Sequence, residues 1–385
     1  MMTIVLIIAL VSLAIWVYLI VGRGGFWLAA VHGDDELAPP ANWPRIAAIV
    51  PARDEAAMIG QSLASLLVQH YPGSFQVILV DDQSSDGTAQ VAMRSAAAVN
   101  ASARLTVVPG CALPDGWSGK VWAMQQGAQH VESLPEPPDY LLLADADITF
   151  APQALRRLAA RAQAHNLTIA SLMVKLRCES LAERALVPAF IYFYQLIYPF
   201  AWVNRPELAT ATAAGGCLML RRQALRTAGG FASIRDALID DTAMAQLLKP
   251  HGPIWLGLTE QVASIRPYRT FGSLRRMIAR SAYDQLNYSP LLLVGTIFGL
   301  GLTFLAPPLL TVFAGGIAQV LGSAAWALMT VSYLPILRLY RLSPLWALAL
   351  PLIALVYSVI TLDSACQHMG GRGGAWKGRS HRGGR

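Results

Sequence analysis

The chain has 385 residues, room for two ordinary domains. Only 14% of residues are charged and mean hydropathy is +0.44, so part of it belongs in lipid. Four scattered cysteines (Cys111, Cys178, Cys217, Cys366) have no paired spacing, which excludes a disulfide framework or zinc site and suits a reducing compartment. The formal net charge is +7, yet no basic run with interleaved aromatics occurs in the polar part. Much of the excess falls in Arg266–Arg280 and in the tail from Arg372, beside apolar segments. No nucleic acid is therefore expected as a partner; anionic lipid and a phosphorylated substrate fit better.

Thr3 to Val21 is uncharged and apolar, long enough to cross a bilayer. A cleaved signal peptide is the competing reading, but a basic n-region is missing and the run exceeds a usual h-region. Residues 1–23 are thus expected to be a retained anchor. Arg23 directly after it places the succeeding polar region in the cytoplasm by the positive-inside rule. Val31 to Pro44 reads as a polar linker. From Arg45 strands and helices alternate: strand Ile46–Val50, helix Ala56 to His70, strand Phe75–Val80, a helix through Val99 capped by Asp86 or Ser85, and strand Leu105–Val108. Gly116-Trp-Ser-Gly-Lys120 leads into a helix ending near Val131, strand Tyr140–Ala144 comes next, and Pro152–Ala164 is an amphipathic helix. This order predicts an α/β, doubly wound, Rossmann-like and mostly parallel sheet.

Further on, strands are expected at Leu167–Leu176 and Cys217–Leu220, and a helix from Asp240-Asp241 through Lys249. Leu186–Val203 is rich in aromatics but holds two prolines and Gln195. It reads as a helix in the headgroup layer, with a core helix as the alternative. Phe271–Tyr288 is a basic amphipathic helix, giving an interface segment at 271–289. Residues 290–364 carry three apolar spans, broken near Gly315-Gly316 and after Arg341, and 365–385 form a basic, glycine-rich tail. Three crossings from a cytoplasmic domain would leave that tail outside, whereas its charge argues for inside. The expected location is the inner (cytoplasmic) membrane.

The chemistry is carried by acidic pairs expected at successive strand ends: Asp54/Glu55, Asp81/Asp82, Asp145/Asp147 and Asp240/Asp241. In an open α/β sheet, strand carboxyl ends meet at one mouth. So many carboxylates repel one another unless a cation neutralises them. Asp145 and Asp147, one residue apart after a buried strand, suit a hard divalent ion that also takes substrate phosphate oxygens. The bland alternative is a turn that caps the next helix.

Pro51-Ala-Arg-Asp-Glu55, Val80-Asp-Asp-Gln-Ser-Ser-Asp-Gly-Thr88, Gly119-Lys120, Asp145-Ala-Asp147 and Asp240-Asp241, in this order, resemble a family 2 glycosyltransferase of the GT-A fold, over roughly residues 45–288. The anchor, the carboxy-terminal spans and Trp376-Lys-Gly-Arg379 resemble the hopanoid-biosynthesis-associated branch, with ceramide glucosyltransferase-like enzymes as near relatives. The resemblance implies a cytoplasmic catalytic domain at 45–270 that binds a nucleotide-sugar, most simply a UDP-sugar. Pro51, Ala52, Arg53 and Glu55 would border the nucleotide, and Asp82 would receive the base's N–H. Lys120 would approach the diphosphate, the alternative being a solvated lysine at a helix start. Asp145 and Asp147 would hold Mg²⁺ or Mn²⁺, and Asp241 would be the general base with Asp240 beside it; helix capping is the alternative for that pair. The family often carries Gln/Arg-x-x-Arg-Trp; here Arg275-Arg-Met-Ile-Ala-Arg-Ser281 lacks the tryptophan, with Arg280 the best match and Arg276 the fallback. Binding of anionic headgroups is the alternative role for these arginines. The implied reaction is metal-dependent, inverting transfer of one sugar to a hydroxyl of a membrane lipid. A processive polysaccharide synthase-translocator and a non-catalytic membrane scaffold are the competing readings.

Overall fold

The uninterrupted apolar runs at residues 46–50 and 140–144 become two neighbouring, wholly buried strands of an eight-stranded sheet in the computed structural model. Described are residues 2–370 and two short strands, Ala375–Trp376 and Arg379–Ser380. The rest of the expected basic tail, including Lys377 and Gly378 of its motif, lies outside the described residues. Two units emerge: an α/β unit of residues 30–177 and 202–267, and a helical unit of residues 2–29, 178–201 and 268–370.

The α/β unit contains β1 (Ile46–Ala52), α2 (Ile59–Leu67), β2 (Phe75–Asp81), α3 (Thr88–Ala98), β3 (Leu105–Pro109), α4 (Gly119–Glu132), β4 (Tyr140–Ala144), β5 (Ile148–Phe150), α5 (Ala154–Ala164), β6 (Ile169–Lys175), β7 (Cys217–Arg221), α7 (Arg222–Thr227), α8 (Asp240–Leu248) and β8 (Ile254–Ser264). The strand order is β3-β2-β1-β4-β7-β6-β8-β5. β3, β2, β1 and β4 run parallel, as the alternation of strands and helices predicts. From β4 onward the sheet is mixed: β7 is antiparallel to both β4 and β6, and β5 is antiparallel to β8. This is a GT-A-like mixed sheet.

Both faces of β1 are covered. Ile46, Ala48 and Val50 pack into a core with Ile59, Leu63, Leu66 and Leu67 of α2, the stripe that the 3.6-residue spacing marks. On the other face α4 comes so close that a Cβ on Gly127 would sit 2.5 Å from Ile49 Cγ2. Register sets the mouth: Ala52 lies opposite Asp81, and Asp145 follows β4 directly. β5 and β8 were not expected from the sequence. Their pairing, Ile148 opposite Ser264, with Ile265 N–H donating to Asp147 O at 2.9 Å, brings residues 264–266 beside the Asp-Ala-Asp segment. The linker is also more ordered than its composition suggests. The Asp34 side chain accepts from Thr259 Oγ1 and, at 2.8 Å, from Glu260 N–H, while Arg161 donates to His32 O at 2.6 Å.

The helical unit contains α1 (Met2–Gly22), α6 (Leu181–Ile197), α9 (Phe271–Ala282), the long helix α10 (Pro290–Phe313), α11 (Gly316–Leu339) and α12 (Leu350–Met369), preceded by a 3₁₀ turn at Pro344–Ala349. Among the described residues, four helices are long and apolar enough to cross a membrane: Met2–Gly22, Pro290–Phe313, Gly316–Leu339 and Pro344–Met369. Within α10, residues Gly301–Leu305 widen to a π-helix just before Pro307 and Pro308. Pro307 has no N–H to offer the carbonyl of Thr303. That carbonyl is taken by Trp16 Nε1 at 2.7 Å, and the Leu302 carbonyl by Ser12 Oγ at 3.1 Å, which satisfies groups that lipid cannot. α6 opens on a capping box made by Ser180 and Glu183. It is buried in its unit: Tyr192 OH meets Ser332 Oγ at 2.6 Å, and Tyr357 OH donates to Leu186 O at 2.8 Å. Of the aromatic segment, residues 186–197 lie in α6, and Phe200–Val203 forms a separate short helix. Arg275 pairs with Asp363 at 3.0 Å, and Arg276 and Arg280 are exposed on α9.

Candidate active site

At the carboxyl ends of β1 and β2 the two adjoining loops are stitched together. Asp54 and Gln83 adopt left-handed backbone, with φ of 50° and 57°. Asp54 Oδ1 accepts from Ser85 N–H at 2.8 Å, and Asp54 N–H donates to Ser84 Oγ at 3.0 Å. Asp82 is fully buried; its N–H donates to Ala52 O at 2.8 Å, and Arg53 Nη1 donates to its carbonyl at 2.6 Å and lies 3.7 Å from Oδ2. Pro51 and Ala52 are buried in β1. Such strained, cross-braced backbone is what a preformed ligand cradle uses.

The next two acidic pairs meet the chain's own cations. Lys120, at the start of α4, bridges Asp145 Oδ1 at 2.9 Å and Asp240 Oδ2 at 3.1 Å. Burial alone would lower the pKa of its ammonium, but Asp145 and Asp240 outweigh burial and hold it well above the ordinary lysine range. It is no solvated lysine: 18% of its side chain is exposed. Asp145 is pushed up by burial and by Asp147 and Asp240, with Lys120 opposing. Asp147 Oδ2 accepts from Ser264 Oγ at 2.7 Å and from Arg266 Nε at 3.2 Å. The same guanidinium donates through Nη2 to Glu55 Oε1 at 2.7 Å. Arg266 is likewise held above the ordinary arginine range, burial being outweighed by Asp147 and Glu55.

Asp240 and Asp241 sit in the first turn of α8, not at a strand end; the ordering by strand ends fails for this pair because a helix N-terminus supplies it. Both Asp241 oxygens are oriented by backbone: Oδ2 accepts from Gly215 N–H and Oδ1 from Thr242 N–H, each at 2.7 Å. Burial, then the charge of Asp240, pushes its pKa up to about 6, with Lys120 and the two N–H groups pulling down. Gly215 is where this approach is tightest. A Cβ there would lie 3.2 Å from both Asp241 Oδ2 and Lys120 Nζ.

Salt links thus join Asp145 to Asp240 through Lys120 and Glu55 to Asp147 through Arg266, with Asp82 braced by Arg53. Arg280 and Arg276 belong to the helical unit. Among the described residues no group of three or more His, Cys, Asp or Glu side chains is arranged to hold a metal. Asp145 and Asp147 supply only carboxylate oxygens, and two such ligands fit Mg²⁺ or Mn²⁺ whose remaining ligands are phosphate oxygens and water. Sequence reasoning missed Arg266, Ser264 and Gly215. The period-two apolar residues Ile254, Leu256 and Leu258 were the available signal for β8, and hence for the first two.

Residues 47–229 match the family model for glycosyl transferase family 2. A 4,4'-diaponeurosporenoate glycosyltransferase of Staphylococcus aureus is 37% identical over 110 residues, covering 28% of this chain and 25% of the relative. The chain thus matches about a quarter of the length of that curated relative. Among solved structures, a mannosyltransferase from Pyrobaculum calidifontis in complex with GDP-Man and Mn²⁺ superposes with a TM-score of 0.57 at 18% identity, covering 95% of this chain and 99% of that one.

Proposed function

We propose, on the premise that residues 47–229 form a glycosyl transferase family 2 domain, that the chain transfers one sugar from a nucleoside-diphosphate sugar to a hydroxyl of a membrane lipid, with inversion at the anomeric carbon. The observation that carries this reading is Asp241. A carboxylate fixed by two backbone N–H groups and raised to about 6 is a poised general base. It takes the acceptor hydroxyl's proton as that oxygen bonds to the anomeric carbon. The bond from that carbon to the diphosphate breaks, and its electron pair leaves with the diphosphate.

Lys120 faces the departing charge, and Asp240 keeps the ammonium oriented. Pro51, Ala52, Arg53, Glu55 and Asp82 form the nucleotide side of the site, with Asp82 receiving the base's N–H. Asp145 and Asp147 would hold Mg²⁺ or Mn²⁺, which supplies Lewis-acid stabilisation of the leaving group. The Pyrobaculum enzyme's GDP-Man and Mn²⁺ support a nucleotide-sugar and a divalent ion; UDP-sugars and GDP-sugars are both donors to test. Arg280, or Arg276 in its place, serves as the arginine of the family's interface motif.

An acceptor within the bilayer is supported by four apolar helices and by a relative named for 4,4'-diaponeurosporenoate; a hopanoid is the acceptor that the sequence resemblance suggests. Arg23 after the anchor supports a catalytic domain at 45–270 on the cytoplasmic side. The test is incubation of the purified full chain with labelled UDP- and GDP-sugars, Mn²⁺ and a membrane lipid extract, with products identified by mass. A lipid bearing one added sugar is expected. A ladder of products would refute single transfer, and no transfer from any donor would refute the reading as a whole.

A further inference from the structure

Arg266 stands where the proposed function assigns no residue. It lies two residues beyond the end of β8, and its two side-chain contacts use different nitrogens: Nε on Asp147 Oδ2 at 3.2 Å and Nη2 on Glu55 Oε1 at 2.7 Å. Glu55 and Asp147 are 5% and 7% exposed, so each needs a neutralising partner. A guanidinium is always charged and presents its donors as a fixed fork. It can therefore release one carboxylate through Nε while staying tethered to the other through Nη2.

We propose that Arg266 is a built-in counter-cation at Asp147 that makes divalent-ion binding conditional on the nucleoside diphosphate. Without nucleotide, Arg266 neutralises Asp147 and competes directly with an incoming ion. When a diphosphate enters, the guanidinium, still held by Glu55, turns its freed donors to phosphate oxygens, which it pairs with strongly. Asp147 is then released to the ion. Metal and nucleotide thus bind as one coupled event, and the coupling is reciprocal. Lys120 holds Asp145 in the same manner, so neither carboxylate of the pair is left as bare charge before the donor arrives. The inference rests on the assignment of the ion to Asp145 and Asp147, and it adds the residue that sets the order of binding.

The competing account is that Arg266 only fastens the end of β8 to β1 and the Asp147 segment. Mn²⁺ binding to the purified full chain in detergent, measured by electron paramagnetic resonance with and without UDP or GDP, separates the two. The wild type should bind Mn²⁺ weakly alone and at least tenfold more tightly with nucleotide. Arg266→Gln should tighten nucleotide-free Mn²⁺ binding by about tenfold, the size of coupling typical of linked sites, and should shrink the nucleotide effect. Unchanged or weaker nucleotide-free binding in folded Arg266→Gln overturns the proposal. Should that variant fail to fold, Arg266→Lys decides. Its ammonium keeps the counter-charge but lacks the fixed fork that holds Glu55 while releasing Asp147, so Mn²⁺ binding should stay weak without nucleotide and gain little from it, and a nucleotide effect of wild-type size overturns the proposal equally. Asp147→Asn is the control: if it leaves nucleotide-dependent Mn²⁺ binding intact, the metal assignment itself has failed, and not merely the role of Arg266.

Discussion

Lys120→Met removes one charge from the centre of the acidic cluster while keeping most of the side-chain volume. Lys120 and Asp240 are 18% and 16% exposed, close to the regime in which removing one partner of a buried pair costs about 3–5 kcal/mol. Asp145 is 36% exposed, so its share is discounted for solvent to about 1 kcal/mol or less. The expected loss near neutral pH is therefore roughly 4 kcal/mol. In a unit of this size that lowers Tm by about 8–16 °C.

The pH dependence makes the prediction specific. With Lys120 gone, Asp145 and Asp241, both pushed up even in its presence, must hold protons more tightly in the folded state than the ordinary unfolded value of about 3.9. Stability then falls wherever the folded chain binds more protons than the unfolded one. The difference between variant and wild type should be small near pH 4 and should open as pH rises through the folded pKa values, of which Asp241 already lies at about 6 with Lys120 present. Thermal unfolding of both proteins in detergent between pH 4.5 and 8 measures this. A deficit that is constant with pH, or a variant as stable as wild type at pH 8, refutes the electrostatic reasoning.

Most of the sheet is legible in the sequence because buried parallel strands are continuous apolar runs, and Tyr140–Ala144 folds with the ends that its composition marks. The acidic positions at the ends of buried apolar strands, Asp81/Asp82 and Asp145/Asp147, are legible too, because paired carboxylates there break sharply with the run before them. The neutralising partners are not. Arg266 reaches Asp147 only because residues 148 and 264 pair across the sheet, and no local spacing encodes that contact. Lys120 sits at a recognisable helix start, but its bridge from Asp145 to Asp240 depends on where α8 begins. β8 escaped detection because the polar run Thr259-Glu-Gln261 cuts short the alternation of Ile254, Leu256 and Leu258. The polar composition of residues 32–35 suggested a loose tether, whereas the Asp34 carboxylate finds donors on β8.

Gly215→Ala places a methyl 3.2 Å from both Asp241 Oδ2 and Lys120 Nζ; turnover should fall about tenfold from a strain of 1–3 kcal/mol, with nucleotide affinity, read by calorimetry, little changed. Trp16→Phe keeps an edge contact with Phe304 but loses the 2.7 Å bond to Thr303 O, and should lower stability in detergent by about 1 kcal/mol. Asp241→Asn must present an amide to Gly215 N–H or Thr242 N–H, and cannot accept a proton; transfer should drop about 10²–10⁴-fold while nucleotide still binds. The acid limb of the pH profile tests the same residue without removing it. Since kcat/KM reports the free enzyme, it should rise with pH and level off above about 6, where Asp241 becomes ionised. Lys120 pulls that pKa down, so in Lys120→Met whatever transfer remains should show the limb displaced to higher pH. A limb that stays in place, or moves lower, means that another group is the base.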